Sequence, residues 1–171
     1  MRIVQCRFND PLAREAFRLR YDIFIDELGY TDPKADHVNG VYCDELDPFS
    51  RIYVALNAQD QVVATARTIY LKDLDEKTKI PEPLLAGFDI ELYYPRFRES
   101  LAISTKLVVA KDYRGTLAAH MITLDMFKDL IDDEILFVFS TCAPSLLSFY
   151  RHLGFRNYSP PDFDEIGMYF P

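Results

Sequence analysis

The 171-residue sequence has only three cysteines, Cys6, Cys43 and Cys142, far apart and without C-x-x-C spacing. That excludes a disulfide framework and offers no zinc ligand set; a reducing compartment fits such usage. His37, His120 and His152 are scattered and lack metal-site spacing. There is no apolar run of about 20 residues and no signal-peptide-like segment, so a cytoplasmic chain without an integral membrane span is expected. Positive charge is scarce: 19 Lys+Arg stand against 27 Asp+Glu, a net charge of −8. This argues against general nucleic-acid binding, which needs a basic face. No repeat, low-complexity tract or linker breaks the chain.

What is present describes a folded protein. Apolar residues make up 49% and charged residues 27%, and the length suits one domain with a sizeable core. Met1–Phe8 reads as a strand. Asp10-Pro11 then gives an N-cap carboxylate with proline at the first helical position. The apolar stripes Leu12/Ala16/Leu19/Ile23 and Phe17/Tyr21/Phe24/Leu28 predict a helix to about Leu28, stopped by Gly29. Arg20, Phe24 and Glu27 share one face of it. Tyr30–Ser50 has no period and reads as a long loop. Ile52–Asn57 and Val62–Tyr70 form a hairpin, and residues 71–100 form a long connection. Leu101–Ala110 and Ile135–Cys142 read as buried strands, separated by a helix over Thr116–Ile131. A helix over Ala143–Leu153 and two short strands end the chain. This order predicts an α/β (α+β) architecture, a single mixed central sheet with helices on both faces.

Two stretches carry candidate chemistry. Leu107–Ala119, LVVAKDYRGTLAA, is a strand, a turn with Tyr113-Arg114-Gly115, and a fresh helix start. First-turn amides have no intrahelical partners and the helix dipole is positive there, so an anion such as a phosphate would be held. The second stretch, Ser148–Phe155, reads SFYRHLGF; its Tyr150 is either a proton donor or a core residue with a satisfied hydroxyl. Upstream, Arg20-Tyr21-x-Ile23-Phe24 is followed by Asp44-Glu45-Leu46-Asp47 and by Arg67 on a strand. A buried strand arginine wants a charge partner, so Asp44 and Asp47 are read as partners of Arg20 and Arg67 or as acids able to take a proton from an amine.

These motifs together resemble the GNAT acyltransferase superfamily. Arg114 to Ala119 is similar to its R/Q-x-x-G/A-x-G/A phosphate motif, with Leu117 where a small residue is usual. Phe149-Tyr150 with Gly154-Phe155 is similar to its FY-x-x-x-GF segment. The N-terminal series, with Ser104-Thr105-Lys106-Leu107, resembles the autoinducer-synthase-like branch, which includes acyl-homoserine lactone synthases and long-chain N-acyl amino acid synthases. That resemblance implies transfer of an acyl group, fatty in this branch, from acyl-CoA or an acyl carrier protein to an amine of an amino acid or peptide. It implies donor contacts at Val108, Val109, Arg114, Gly115, Thr116, Leu117, Ala118 and Ala119. Arg20, Phe24, Asp44, Arg67, Thr105 and Lys106 would line the acceptor side, and Tyr150, Glu45 and Asp47 would handle protons. The chain has no tryptophan, and Ile103 stands where the branch has a strand acid; both weaken the lactone-synthase reading. A non-catalytic thioester-binding domain is the other alternative. No Ser, Cys or His constellation suggests a covalent intermediate, so direct attack on the thioester fits better. Lys111, Arg114, Arg151 and His152, with Arg96 and Arg98, would offer local charge to an acidic carrier protein, and the imperfect phosphate motif leans that way. The aromatics Phe88, Tyr93, Tyr94 and Phe97, with Phe137 and Phe139, are candidates for an acyl tunnel, and core packing accounts for them equally well.

Overall fold

The computed structural model describes residues 1–74 and 97–157 and the backbone of 166–170. The chain divides into two compact units, Met1–Thr68 with Lys106–Asp129, and Ile69–Thr105 with Leu130–Pro171. No helix among the described residues is long and apolar enough to cross a membrane.

In the first unit, β1 (Arg2–Cys6) lies antiparallel to β4 (Ser50–Leu56), pairing Arg2 with Leu56 through Cys6 with Ile52. β5 (Val62–Tyr70) follows β4 in strand order, then β6 (Leu101–Val109). β4 and β5 are buried along nearly their whole length, as strands covered on both faces must be. Helix α1 (Pro11–Arg20) packs Ala13, Ala16 and Phe17 on Cys6, Ile52, Val54 and Leu56. The small alanines let it approach the sheet closely. The β4–β5 turn lacks an Asn-Gly or Asp-Gly pair. Asn57 substitutes: its side-chain oxygen accepts the amides of Gln59 and Gln61, an Asx-type turn.

The predicted first helix changes character at Tyr21. From Tyr21 to Glu27 the turns widen, with the Leu28 amide reaching the carbonyl of Ile23, five residues back. Such π-type widening occurs often at functional sites. It exposes Leu28, which the regular helical stripe would have buried. The long loop also holds more than its sequence predicted. A two-residue hairpin, β2 (Ala35–Asp36) with β3 (Val41–Tyr42), precedes a single tight turn at Asp47–Phe49. Strands this short have no readable period.

In the second unit, β6 runs parallel to β7 (Phe137–Cys142), from Leu101↔Phe137 to Ser104↔Ser140. β7 is antiparallel to β9 (Ile166–Phe170), which pairs in turn with β8 (Arg156–Asn157). Helix α2 (Ala118–Asp132) begins in the first unit, and α3 (Leu147–His152) lies in the second. Of the predicted 71–100 connection, Leu71–Asp73 and Arg98–Ser100 are tight single turns. Residues 75–96, including Phe88, Tyr93, Tyr94 and Arg96, lie outside the described residues.

Ile52 is fully buried at the contact of α1 with β4. Ile52→Ala is expected to cost about 2–5 kcal/mol, whereas Val38→Ala, at a position 94% exposed, should stay within about 0.5 kcal/mol. Urea unfolding midpoints at unchanged slope check both.

Candidate active site

The first unit encloses a linked set of charges. Arg20, the last residue of α1, donates to Asp47 Oδ1 at 2.7 Å, and both side chains are fully buried. Arg67, on β5, reaches the same oxygen at 3.2 Å and also bonds Asp44 Oδ1. Asp47 Oδ2 accepts the Asp44 amide at 2.8 Å, and Asp44 Oδ1 accepts the Leu46 amide at 3.0 Å. The Asp44–Asp47 tight turn is thus stitched by its own backbone before it meets the arginines. The Arg20 guanidinium lies over the Phe17 ring at 5.1 Å, a contact that suits its weakly hydrated plane. Its Nε and remaining Nη have no hydrogen-bond acceptor among the described residues.

Burial alone would push the Asp44 carboxyl up. Arg67, by charge and hydrogen bond, and then Lys106 outweigh this and hold it below 3.8. Lys106 stands 3.9 Å from Asp44 Oδ2. It donates to the Tyr42 hydroxyl at 2.7 Å, and Tyr42 donates to Asp32 Oδ2 at 2.6 Å. Its ammonium lies 4.0 Å from the Tyr42 ring centroid and 5.2 Å from that of Phe24, rings that meet edge to face at 5.8 Å. Burial, helped by Arg67 and opposed by Asp44, lowers its pKa to about 8. Its backbone has φ +58° within strand β6, a left-handed conformation costing of order 1–3 kcal/mol for a side-chain-bearing residue.

The predicted phosphate turn follows on the same strand. Val108 is buried with Leu19 and Ile23. Gly115 has φ +76° with open space around its Cα, so the turn demands glycine for its conformation and not for clearance. The Thr116 hydroxyl caps the amide of Ala118 at 3.3 Å. The amides of Leu117 and Ala119 have no acceptor among the described residues, as expected at a helix start. Leu117 is 68% exposed, whereas the next residue, Ala118, is buried. Arg114 is already engaged: its two Nη atoms each meet a Glu27 carboxylate oxygen at 2.6 Å, and its Nε donates to the Val109 carbonyl at 3.2 Å. These hydrogen bonds hold the Glu27 carboxyl below its ordinary range.

The stretch of sequence that carries the arginine–carboxylate cluster and the open helix start is matched by a family model. Residues 19–123 match the acetyltransferase (GNAT) domain. The chain belongs to the GNAT family. Over 62 residues it is 39% identical to the L-ornithine N(alpha)-acyltransferase of Rhodobacter capsulatus, a match covering 33% of this chain and 24% of that protein. The GNAT fold extends over nearly the whole chain. The coenzyme A-dependent acyl-homoserine lactone synthase BjaI, solved with SAM and isopentyl-CoA, superposes with a TM-score of 0.74 at 17% identity, over 98% of this chain and 81% of that one. FeeM, an N-acyl amino acid synthase from uncultured soil microbes, superposes with a TM-score of 0.68 at 17% identity, over 99% and 90%. The expected mixed sheet is therefore that of a GNAT protein.

The sequence-predicted residues are distributed as follows. Arg20, Phe24, Asp44, Asp47, Arg67 and Lys106 come together in the first unit. Asp47 is enclosed and saturated by donors, the partner role the sequence also allowed. Glu45 lies outside the cluster in an exposed pair with Lys34 at 2.9 Å. Thr105 is buried, and Tyr150 is buried in the second unit, its ring edge-on to Phe155 at 5.2 Å and to Phe149 at 5.5 Å. Arg98 spends its guanidinium on the carbonyls of Leu71 and Leu74, so its charge is tied down locally. Sequence reasoning did not single out Asp32 and Tyr42. Both sit in the aperiodic loop, where no spacing marks them; the aromatic Tyr42 two residues before Asp44 was the available signal.

Asp47→Asn should destabilise by about 3–5 kcal/mol, because two buried arginines lose their shared counter-charge; chemical denaturation measures it. Asp44 has a depressed folded pKa, so its contribution is present above the unfolded value of 3.8 and is lost as pH falls through the folded one. The stability gap between wild type and Asp44→Asn should therefore shrink below pH 3.8 and stay constant toward neutrality, as read by unfolding across an acid titration.

Proposed function

We propose that this protein is an N-acyltransferase that moves a fatty acyl group from an acyl thioester to an amine of an amino acid or peptide. One observation carries the reading: the GNAT match spans both the arginine–carboxylate cluster and the open helix start at 117–119. The names of the relatives support it, one acylating the α-amine of ornithine and one an N-acyl amino acid synthase. The donor is acyl-CoA or an acyl carrier protein, its phosphate meeting the open amides of Leu117 and Ala119, with Gly115, Thr116 and Ala118 shaping the turn and Arg114 and the Val108–Val109 strand end alongside. Amine attack on the thioester forms a C–N bond and expels the thiolate, which Tyr150 protonates. Of the loop acids, Glu45 is open to solvent and accepts the amine's proton through water. Asp47 holds Arg20 and Arg67 in place, and Thr105 lies along the acceptor strand.

The decisive assay incubates the protein with acyl-CoA and acyl carrier protein donors over a panel of amines and follows thiol release. No release above background with any donor removes the enzymatic reading and leaves a thioester-binding domain, whose mark is calorimetric binding without turnover. Lactone release from S-adenosylmethionine, seen by mass spectrometry, would instead identify a lactone synthase. Arg114→Ala should raise the donor KM about tenfold or more, the worth of a hydrogen bond to a charged group. Tyr150→Phe should lower kcat at least about 100-fold if the phenol is the acid, and an unchanged rate would remove that role.

A further inference from the structure

The two arginines of the buried cluster are met by its carboxylates, and the one carboxylate oxygen left without a hydrogen bond among the described residues is Asp44 Oδ2. Asp44 Oδ1 takes Arg67 and the Leu46 amide, and Asp47 takes Arg20, Arg67 and the Asp44 amide. Lys106 is different. An ammonium carries three donors, and this one makes a single hydrogen bond, to Tyr42. Asp44 at 3.9 Å is beyond hydrogen-bonding distance. Two N–H groups therefore face no acceptor among the described residues, and the side chain keeps 18% of its surface open. Meanwhile the ammonium is fixed by the Phe24 and Tyr42 rings and by the Tyr42 hydroxyl, which Asp32 orients in turn. Its backbone is held left-handed, where glycine would be unstrained. A strained position occupied by a long cationic side chain points to use of that side chain.

We propose that Lys106 anchors a carboxylate of the acceptor, the α-carboxylate of an amino acid or the terminal carboxylate of a short peptide. This deepens the acyl-transfer reading and rests on it. Charge-assisted N–H···O bonds supply the attraction, and the pre-fixed ammonium loses little freedom on binding. A carboxylate fits better than a phosphate: Arg20 and Arg67 already offset Asp44 and Asp47, and Asp32 stands behind the Tyr42 hydroxyl, so the single charge of Lys106 matches a monoanion and not a dianion. The acceptor's carboxylate would thus set its orientation, leaving the amine to meet the thioester.

The test compares matched acceptors on the full chain with one acyl donor: an amino acid and its primary amide, a dipeptide and its amide. Wild type should favour the carboxylate form by about ten- to a hundredfold in kcat/KM, and the better of the two pairs identifies the source of the carboxylate. In Lys106→Gly, a change the backbone accommodates, the preference should collapse toward unity; Lys106→Arg should keep most of it. Equal use of acid and amide by wild type, or an unchanged ratio in Lys106→Gly, overturns the anchor while leaving acyl transfer intact. A second readout needs no turnover. In protein labelled with 13C at lysine Cε, the resonance missing from Lys106→Arg should shift with glycine and not with glycinamide. No shift overturns the anchor even if acylation occurs. A shift without acylation by any donor sinks the enzymatic reading and leaves the carboxylate site standing.

Discussion

Two arginines on one buried carboxylate constrain this protein more than any other contact. Arg20 ends α1, Arg67 lies on β5, and Asp47 comes from the loop between them. Removing two guanidinium groups from water is costly, and a shared aspartate repays it only where geometry and hydrogen bonds are close to complete. The loop meets that condition through its own backbone: Asp44 and Asp47 accept or donate to each other and to Leu46 before engaging the arginines. The helix end, the strand and the loop are therefore fixed together, and Asp44 is delivered beside Lys106 with no freedom to wander. The site's electrostatics follow from this single enclosure.

The widened turns of Tyr21–Glu27 serve the same end. A regular helix continued past Arg20 would carry Phe24 and Glu27 round at 100° per residue. The extra residue in the turn changes that phase and coincides with Phe24 over the Lys106 ammonium and Glu27 in a two-pronged contact with Arg114. One local departure from α-helical geometry thus brings residues of the same segment to both Lys106 and Arg114. It also explains why Leu28, apolar and in register with the buried stripe, ends up exposed.

Those departures mark where the sequence was legible and where it was not. The strands Ile52–Asn57 and Val62–Tyr70 were readable because a continuous apolar run bounded by turn residues has few other uses; the start of α1 was readable from Asp10-Pro11. The partnership of Arg20 and Arg67 with Asp44 and Asp47 was readable from a rule of cost, since a strand arginine cannot be buried alone. The π-type turns, the β2–β3 hairpin and the Lys106–Tyr42–Asp32 chain were not. Each depends on packing among residues far apart in sequence or on elements too short to show a period. The left-handed backbone at Lys106 was invisible for the opposite reason: local preference disfavours it, and only the surrounding structure imposes it.

The donor turn shows how such tertiary contacts revise a motif. Read alone, Arg114 looks like a free cation waiting for phosphate, and Leu117 looks like an obstacle. In the folded chain Arg114 is neutralised by Glu27, while Leu117 is turned largely to solvent. On the proposed reading, an incoming phosphate would meet the amides of Leu117 and Ala119 and the helix dipole first, and would gain the guanidinium only by sharing it with, or taking it from, Glu27. Backbone amides grip one phosphate as well as two, so the turn does not by itself require a nucleotide diphosphate. A phosphopantetheine arm and coenzyme A present the same group to those amides. On the proposed reading, selection between them would fall to charges outside the turn, where Lys111, after the Arg114 hydrogen bonds, helps hold the Glu27 carboxyl below the ordinary range. On a chain of net charge −8, such local positive charge is what an acidic carrier protein would have to find.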